Sequence, residues 1–355
     1  MSTTIPGPPR LRFCALAMPV AALALSSCTD PRTAQIMTAA VSTPTLTPLA
    51  PLDPTTVPQP SARPLTEPGC CARPWWSEDG SQILFVDDPP GEEPLGVYAV
   101  SVEGGDPQLA SASVSEAAFL STNPSGSVSV IDLPDAARNA RISLKGDRVA
   151  WTEGRTEPVN LDLRRRSIWV SQAQGGTPGR LLTIIGGDLI GWAGDGLALI
   201  LSGRLSEGGP SGVWRVPLDG GPPLLLAPGA RPRSAVLSPS AGWVAFYLAF
   251  EEDPSRDGVW FVRTSGEGGR SLSGLASYRW GREGQLLLVP YEGGVSGLSL
   301  LEIDAATGET KLLIDGSAFP GGIASNDWTV SPHGDRIVYR SAEDGSLWVV
   351  SLDGV

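Results

Sequence analysis

Trp328-Thr329-Val330-Ser331-Pro332-His333-Gly334-Asp335, followed by Arg336-Ile337-Val338-Tyr339, reads as a short apolar strand, a tight turn and a second strand. Pro fixes φ, Gly accepts a left-handed backbone, and a Ser hydroxyl bonds nearby amides, so the three together specify a corner. Leu347-Trp348-Val349-Val350 is then a third strand with an aromatic at its centre, and Asp353-Gly354 opens another turn.

The same order recurs towards the N-terminus. Arg73-Pro74-Trp75-Trp76-Ser77-Glu78-Asp79-Gly80 leads into Ile83-Leu84-Phe85-Val86, Val97-Tyr98-Ala99-Val100, Glu103-Gly104-Gly105 and Gln108-Leu109. Further copies carry the aromatic-centred strands Ser167-Ile168-Trp169-Val170, Val213-Trp214-Arg215-Val216 and Val259-Trp260-Phe261-Val262, and a weaker one runs from Arg279-Trp280 to Lys311-Leu312-Leu313. Taking Gly80, Gly146, Gly196, Gly242, Gly284 and Gly334 as phase markers gives spacings of 66, 50, 46, 42 and 50. Repeats of roughly 40 to 50 residues with four short strands each indicate propeller blades. The expectation is an all-β, six-bladed propeller over residues 63–355, with seven blades as the alternative. The long first interval is read as an inserted hairpin at 116–133 or part of an extra blade.

The last copy stops after its third strand, whereas Arg63-Pro64-Leu65-Thr66 has the character of the missing fourth. Pairing these two ends would close a ring and remove an open strand edge.

Composition agrees with many short strands: 43 Gly and 33 Pro among 355 residues, and 18% charged. The net charge is −12, so phosphate neutralisation, on which nucleic-acid affinity rests, is not available. Nucleic acid is excluded as a partner, and a monomer is expected.

Residues 1–27 read as a signal segment, with Arg10 and Arg12 ahead of a short apolar run from Phe13 to Leu25. Residues 28–62 are Pro- and Thr-rich, as in Thr43-Pro44-Thr45-Leu46-Thr47-Pro48, and read as a disordered tether. Leu25-Ser26-Ser27-Cys28 resembles the lipobox of bacterial lipoproteins, which implies cleavage before Cys28, a lipid on its sulfur and anchoring at the extracytoplasmic face of the cell envelope. Cys14 would leave with the signal. Adjacent Cys70 and Cys71 would then share an oxidising compartment, where a redox-active vicinal bridge, an inert bridge and packed thiols are all open.

The repeat itself resembles that of the periplasmic Tol-system protein TolB and related WD-like propellers, whose pattern is a Trp-Ser-Pro-Asp-Gly turn, two strands, Asp-Gly-Gly and a Leu-rich strand. The resemblance covers residues 63–355 and implies a propeller. Such propellers serve as binding platforms, as accessory domains of peptidases and sometimes as enzymes, so it implies no single activity.

Catalytic chemistry is sparse. His333 is the only histidine and occupies a turn corner, which removes Ser-His-Asp, Cys-His and His-rich metal sites, including the several histidines of manganese-dependent lyases built on similar repeats. No catalytic, cofactor or metal residue is assigned. Carboxylates remain, at Asp87-Asp88, Glu92-Glu93 and Glu251-Glu252-Asp253, and leave open a carboxylate- or calcium-dependent hydrolase at the channel mouth. The leading reading is a non-enzymatic module for a protein, peptide or envelope component. Its binding face is expected on the variable loops after the second strands, with Arg164, Arg165 and Arg166 as anchor for an anionic group and Glu251, Glu252 and Asp253 beside them.

Overall fold

Ser331 shows how one repeat folds. Its hydroxyl accepts the backbone N–H of Arg336 (3.1 Å) and donates to the Asp335 carboxylate (2.6 Å), while the Gly334 N–H closes the turn onto the Ser331 carbonyl (2.9 Å). Ser77 and Ser143 do the same work ahead of Gln82 and Arg148, and Gly80, Gly146, Gly196 and Gly334 take φ near +70° at the corner. In the fourth copy the left-handed residue is Ala241 (φ +53°), not Gly242. The Ala241 N–H bonds the Ser238 carbonyl in the same way, so the phase marker there shifts by one residue.

The computed structural model describes residues 45–47, 61–89, 94–111, 133–154, 160–229, 231–291 and 299–352. The expected signal segment, the cleavage site with Cys28, Glu92-Glu93 and the 116–133 insertion, apart from Leu133, lie outside the described residues. The chain divides into residues 1–36, wholly outside them, and 37–355.

The described residues are all-β, with no α-helix. After β1 (Thr45–Thr47) and β2 (Ala62–Pro64), the strands are β3 (Ala72–Trp76), β4 (Gln82–Asp87), β5 (Gly96–Ser101) and β6 (Gln108–Ser111), then β7 (Arg138–Ile142), β8 (Arg148–Glu153), β9 (Arg165–Gln172) and β10 (Gly179–Ile185). They continue with β11 (Leu189–Trp192), β12 (Ala198–Arg204), β13 (Ser211–Pro217) and β14 (Leu224–Pro228), then β15 (Arg233–Leu237), β16 (Trp243–Leu248), β17 (Gly258–Arg263) and β18 (Gly269–Ser273). The last are β19 (Ala276–Trp280), β20 (Gln285–Pro290), β21 (Leu300–Asp304) and β22 (Thr310–Ile314), and β23 (Ile323–Val330), β24 (Arg336–Ser341) and β25 (Leu347–Ser351).

Five antiparallel four-strand meanders run in chain order from β3 to β22, and β23-β24-β25 is completed by β2. The second and third meanders are joined at their ends by the pair Ile185↔Arg204. Ala62↔Val350, Arg63↔Val349 and Pro64↔Trp348 give the end-to-end pairing expected from sequence, and Leu65 extends it with its N–H on the Leu347 carbonyl (2.8 Å). Thr45–Thr47, inside the stretch read as a tether, adds a parallel strand to β18, which its composition did not indicate.

Each core cluster lies between consecutive meanders. Ala150, Ile168 and Ile184 of the second pack on Leu199, Leu201 and Trp214 of the third, and Ala198, Ile200 and Val213 on Val244, Phe246 and Trp260 of the fourth. Leu65, Val338, Leu347 and Val349 of the last meander pack on Trp76, Ile83, Phe85 and Tyr98 of the first. Sheets stacked face to face in sequence are the construction of a β-propeller.

First-strand tryptophans fasten alternate interfaces. Trp192 Nε1 donates to the Arg141 carbonyl of the preceding meander (2.9 Å), Trp280 Nε1 to that of Val236 (3.1 Å), and Trp76 Nε1 to that of Thr329 in the last (3.5 Å). The equivalent rungs of the even meanders hold Ile142, Leu237 and Val330. In the last meander Trp328 lies two residues before that rung, opposite Tyr339.

Third strands open on glycine in Gly96-Val97-Tyr98, Gly212-Val213-Trp214 and Gly258-Val259-Trp260. A Cβ on Gly212 would lie 2.2 Å from the Ala227 carbonyl oxygen, and one on Gly258 2.0 Å from that of Leu272, so the fourth strand leaves no room for a side chain.

The turn carboxylates give a pH dependence. The Ser77 hydroxyl and the Ser81 N–H hold Asp79 down from 3.8 to about 2, and Asp147 and Asp335 are lowered with serine hydroxyls donating to both. A carboxyl lowered in the folded state contributes stability above its unfolded value that is lost as pH falls through the folded one. Urea midpoints should therefore hold steady above about pH 4 and decline towards pH 2, and flat midpoints across that window would count against these turns.

Candidate binding face

In each meander the connections after the second and fourth strands fall on one face; those after the second strands differ in length, as 205–210 between β12 and β13 and 249–257 between β16 and β17 show, while β18 and β19 are joined by 274–275 alone. The arginine run lies there, but only Arg164 is in a loop, since β9 begins at Arg165. Arg165 pairs with Glu207. Arg166 pairs with Asp188 and also donates to the Gly187 carbonyl (3.1 Å). Arg164 makes no ion pair among the described residues, and its Nε is buried without a partner. Asp162 in the same loop is engaged by Arg231, and its carbonyl accepts from Arg204 (2.7 Å).

Asp188, which sequence reading passed over, is the hub of this region. Its Oδ1 accepts from Asn139 Nδ2 and from the Leu189 N–H (2.9 Å each), its Oδ2 pairs with Arg166, and its charge opposes the lowering that burial imposes on Arg141. Asp188 and Asn139 come from the entries of neighbouring first strands, a juxtaposition no spacing in the chain displays.

Glu251, Glu252 and Asp253 lie in the β16–β17 connection but act separately. Glu251 is half-buried with its side chain turned in and its carboxylate 4.0 Å from Arg256, and Glu252 is exposed. Asp253 caps the one-turn 3-10 helix Pro254–Arg256. The Ser255 hydroxyl and N–H hold its carboxyl below the usual range. Phe250, before them, is 85% exposed at φ +59°.

Where the first strands enter from this face, arginines recur. Arg138 pairs across to Thr152 and Arg233 to Tyr247, the same rung of the second and fourth meanders counted from the turn, and Arg73 lies one residue inside that rung in the first. Arg73, Asn139 and Ser234 all have φ near +50° at the bulge that follows. Arg73 and Arg233 are exposed and have no side-chain partner among the described residues. Arg138 is exposed and donates only to carbonyls of its own approach, Asp135 and Ala137 (2.7 Å each). First strands line the axis of a propeller.

A cavity of about 630 Å³ opens beside the last meander, lined by Asn326, Asp327, Arg340, Glu343, Asp344 and neighbours. Arg340 Nη1 stands 3.7 Å from Asp327, and the Ser346 hydroxyl and N–H keep Asp344 lowered. Next to it, Cys70 and Cys71 are bridged, with Cα atoms 3.8 Å apart. The Thr66 hydroxyl reaches Sγ of Cys70 (3.0 Å) and accepts the Leu347 N–H (2.9 Å). A calcium or hydrolase site built on carboxylates would need several at one point. Among the described residues the one cluster of at least three Cys, His or acidic ligands is Cys70, Cys71 and Asp87, with a single carboxylate.

No protein-family profile and no curated protein matches the sequence. Similar solved structures include a putative TolB from Agrobacterium tumefaciens, at 19% identity over 81% of this chain and 91% of that one with a TM-score of 0.38. They also include an oligogalacturonate lyase in complex with manganese, at 10% identity over 79% and 77% with a TM-score of 0.44. The β-propeller domain of the Trilobed protease from Pyrococcus furiosus is similar at 12% identity over 63% and 73%, with a TM-score of 0.42.

Proposed function

We propose that this chain is a monomeric cell-envelope protein in which a six-bladed propeller, tethered through a lipid on Cys28, binds an anionic protein, peptide or envelope polymer without acting on it chemically. The observation that carries the reading is the set of exposed first-strand arginines Arg73, Arg138 and Arg233, none of them ion-paired to an acid among the described residues, in a chain of net charge −12. Cations left without acids around an axis, on the face that carries the loops after the second strands, suit a carboxylate or phosphate, for which Arg offers planar, two-pronged donation. The run Arg164-Arg165-Arg166 remains a flank of this site, through Arg164 above all, since its other two members are engaged by acids.

Capture from a cell-envelope fraction tests this, with the wild-type chain from residue 62 onward compared with two triple variants. Changing Arg73, Arg138 and Arg233 to Ser should weaken recovery of the partner at least about tenfold, as expected for losing charge-assisted hydrogen bonds. Changing Arg164, Arg165 and Arg166 to Ser should weaken it less. Equal recovery by wild type and the first variant would remove the arginines from the site.

Anchoring is tested separately. Cys28→Ser should move the full-length protein from the membrane to the soluble exported fraction, and a variant that stays with the membrane would refute lipidation there.

A further inference from the structure

We infer that Cys70, Cys71 and Asp87, once the disulfide is reduced, form a three-ligand site for a thiophilic divalent cation such as Zn²⁺. The site arises from register. Ala72 pairs with Val86 across the β3–β4 hairpin, which sets Cys71 opposite Asp87, and the Cys71 N–H lies 3.5 Å from Asp87 Oδ1. The two sulfurs and a carboxylate oxygen all lie within 4.8 Å of one another. With metal–sulfur and metal–oxygen bonds of about 2.3 and 2.1 Å, tetrahedral ligands stand roughly 3.5 to 3.8 Å apart, so once the S–S bond is broken the two sulfurs must separate to that spacing while the carboxylate closes by only about 1 Å.

The surroundings suit thiolates. The Thr66 hydroxyl, which accepts the Leu347 N–H, lies 3.0 Å from the Cys70 sulfur and 3.4 Å from that of Cys71, so its own proton is within reach of either sulfur as an outer-shell donor once they are thiolates. Cys71 is 4% exposed, while Cys70 and Asp87 are half-buried, leaving the fourth position to water or an incoming ligand. Two thiolates and one carboxylate select a borderline-soft ion over Ca²⁺ or Mg²⁺.

The bridge makes the site conditional on redox state. A dithiol gives up two electrons and two protons: the Cys70–Cys71 S–S bond breaks, the reductant closes its own disulfide, and two thiols remain. Metal binding then displaces the two thiol protons to solvent. The oxidised pair has no thiolate to offer.

The experiment uses the full chain with Cys14→Ser and Cys28→Ser, so that Cys70 and Cys71 are its only cysteines. Co²⁺ is titrated into oxidised protein and into protein reduced with a phosphine. The expected result is one equivalent bound with a thiolate-to-cobalt charge-transfer band in the reduced form alone, displaced by Zn²⁺. Asp87→Asn should weaken Co²⁺ binding by at least about tenfold, the least that losing even an outer-shell partner costs. Thiol titration and far-UV circular dichroism report whether that variant folds with both thiols free. Cys70→Ser, which leaves one thiolate, should lose the tight complex whatever Asp87 does. Absence of the band, an equal response from oxidised protein, or unchanged affinity in folded Asp87→Asn would overturn the site.

Discussion

A chain begun at Arg73 should melt roughly 5 °C or more below one begun at residue 61, since losing a buried leucine alone costs about 2–5 kcal/mol and each kcal/mol moves the midpoint of a chain this long by about 2 °C. The shortened chain lacks β2, which is the outer strand of the last meander, and Leu65, which is 5% exposed in the core between the last meander and the first. It also lacks Arg63, whose guanidinium donates to the carbonyls of Val102 and Glu103 across the same joint, and Thr66, which holds the Leu347 N–H. These contacts all lie at the joint between the last meander and the first, so their loss opens one interface and leaves the others intact. Calorimetry on both versions decides it, and coincident midpoints would mean that the joint contributes nothing to stability.

Trp328→Ala should cost about 3–5 kcal/mol, the range for removing a fully buried aromatic. The ring is 2% exposed among Leu287, Val289, Phe319 and Tyr339, so it fills the space between the fifth and last meanders. Its Nε1 donates to the buried Ser277 hydroxyl (2.6 Å), and the Arg279 guanidinium lies 5.3 Å from its ring. Trp328→Phe retains much of the volume but leaves Ser277 without that donor, and should cost about 1–3 kcal/mol. Urea unfolding of the two variants at equal m gives the difference directly. Equal losses would place the whole effect in the hydrogen bond.

The repeat was legible because its chemistry is local. Ser77, Ser143, Ser238 and Ser331 each bond the amide five residues on, so the turn is written in a short window, and so is the aromatic of each third strand. The end-to-end pairing was legible because the last copy lacks a strand that Arg63-Pro64-Leu65-Thr66 could supply. Charge partners were not legible. The triplet Arg164-Arg165-Arg166 looks like one patch, yet its last two members point their charge at Glu207 and Asp188, 42 and 22 residues away. Asp188 carries no local signature. Asp87 is one loop carboxylate among many until the hairpin register sets it against Cys71. The slip at Ala241 has a simple cause: an alignment by residue type counts the conspicuous glycine, whereas the backbone counts hydrogen-bonded rungs.

The pairing of Ala62 with Val350 also sets an order in time. Its partners are 288 positions apart (350 − 62), so almost the whole chain must exist before the joint can form. Inner meanders can assemble from neighbouring segments as they emerge. Among the described strand pairings this one is the most non-local and comes at the greatest loop-closure entropy. Until then β25 keeps an unpaired edge, and β2 has nothing to pair with. Folding of this sheet is thus tied to the arrival of β25, and until it pairs with β2 its open edge is available to a second copy of the molecule.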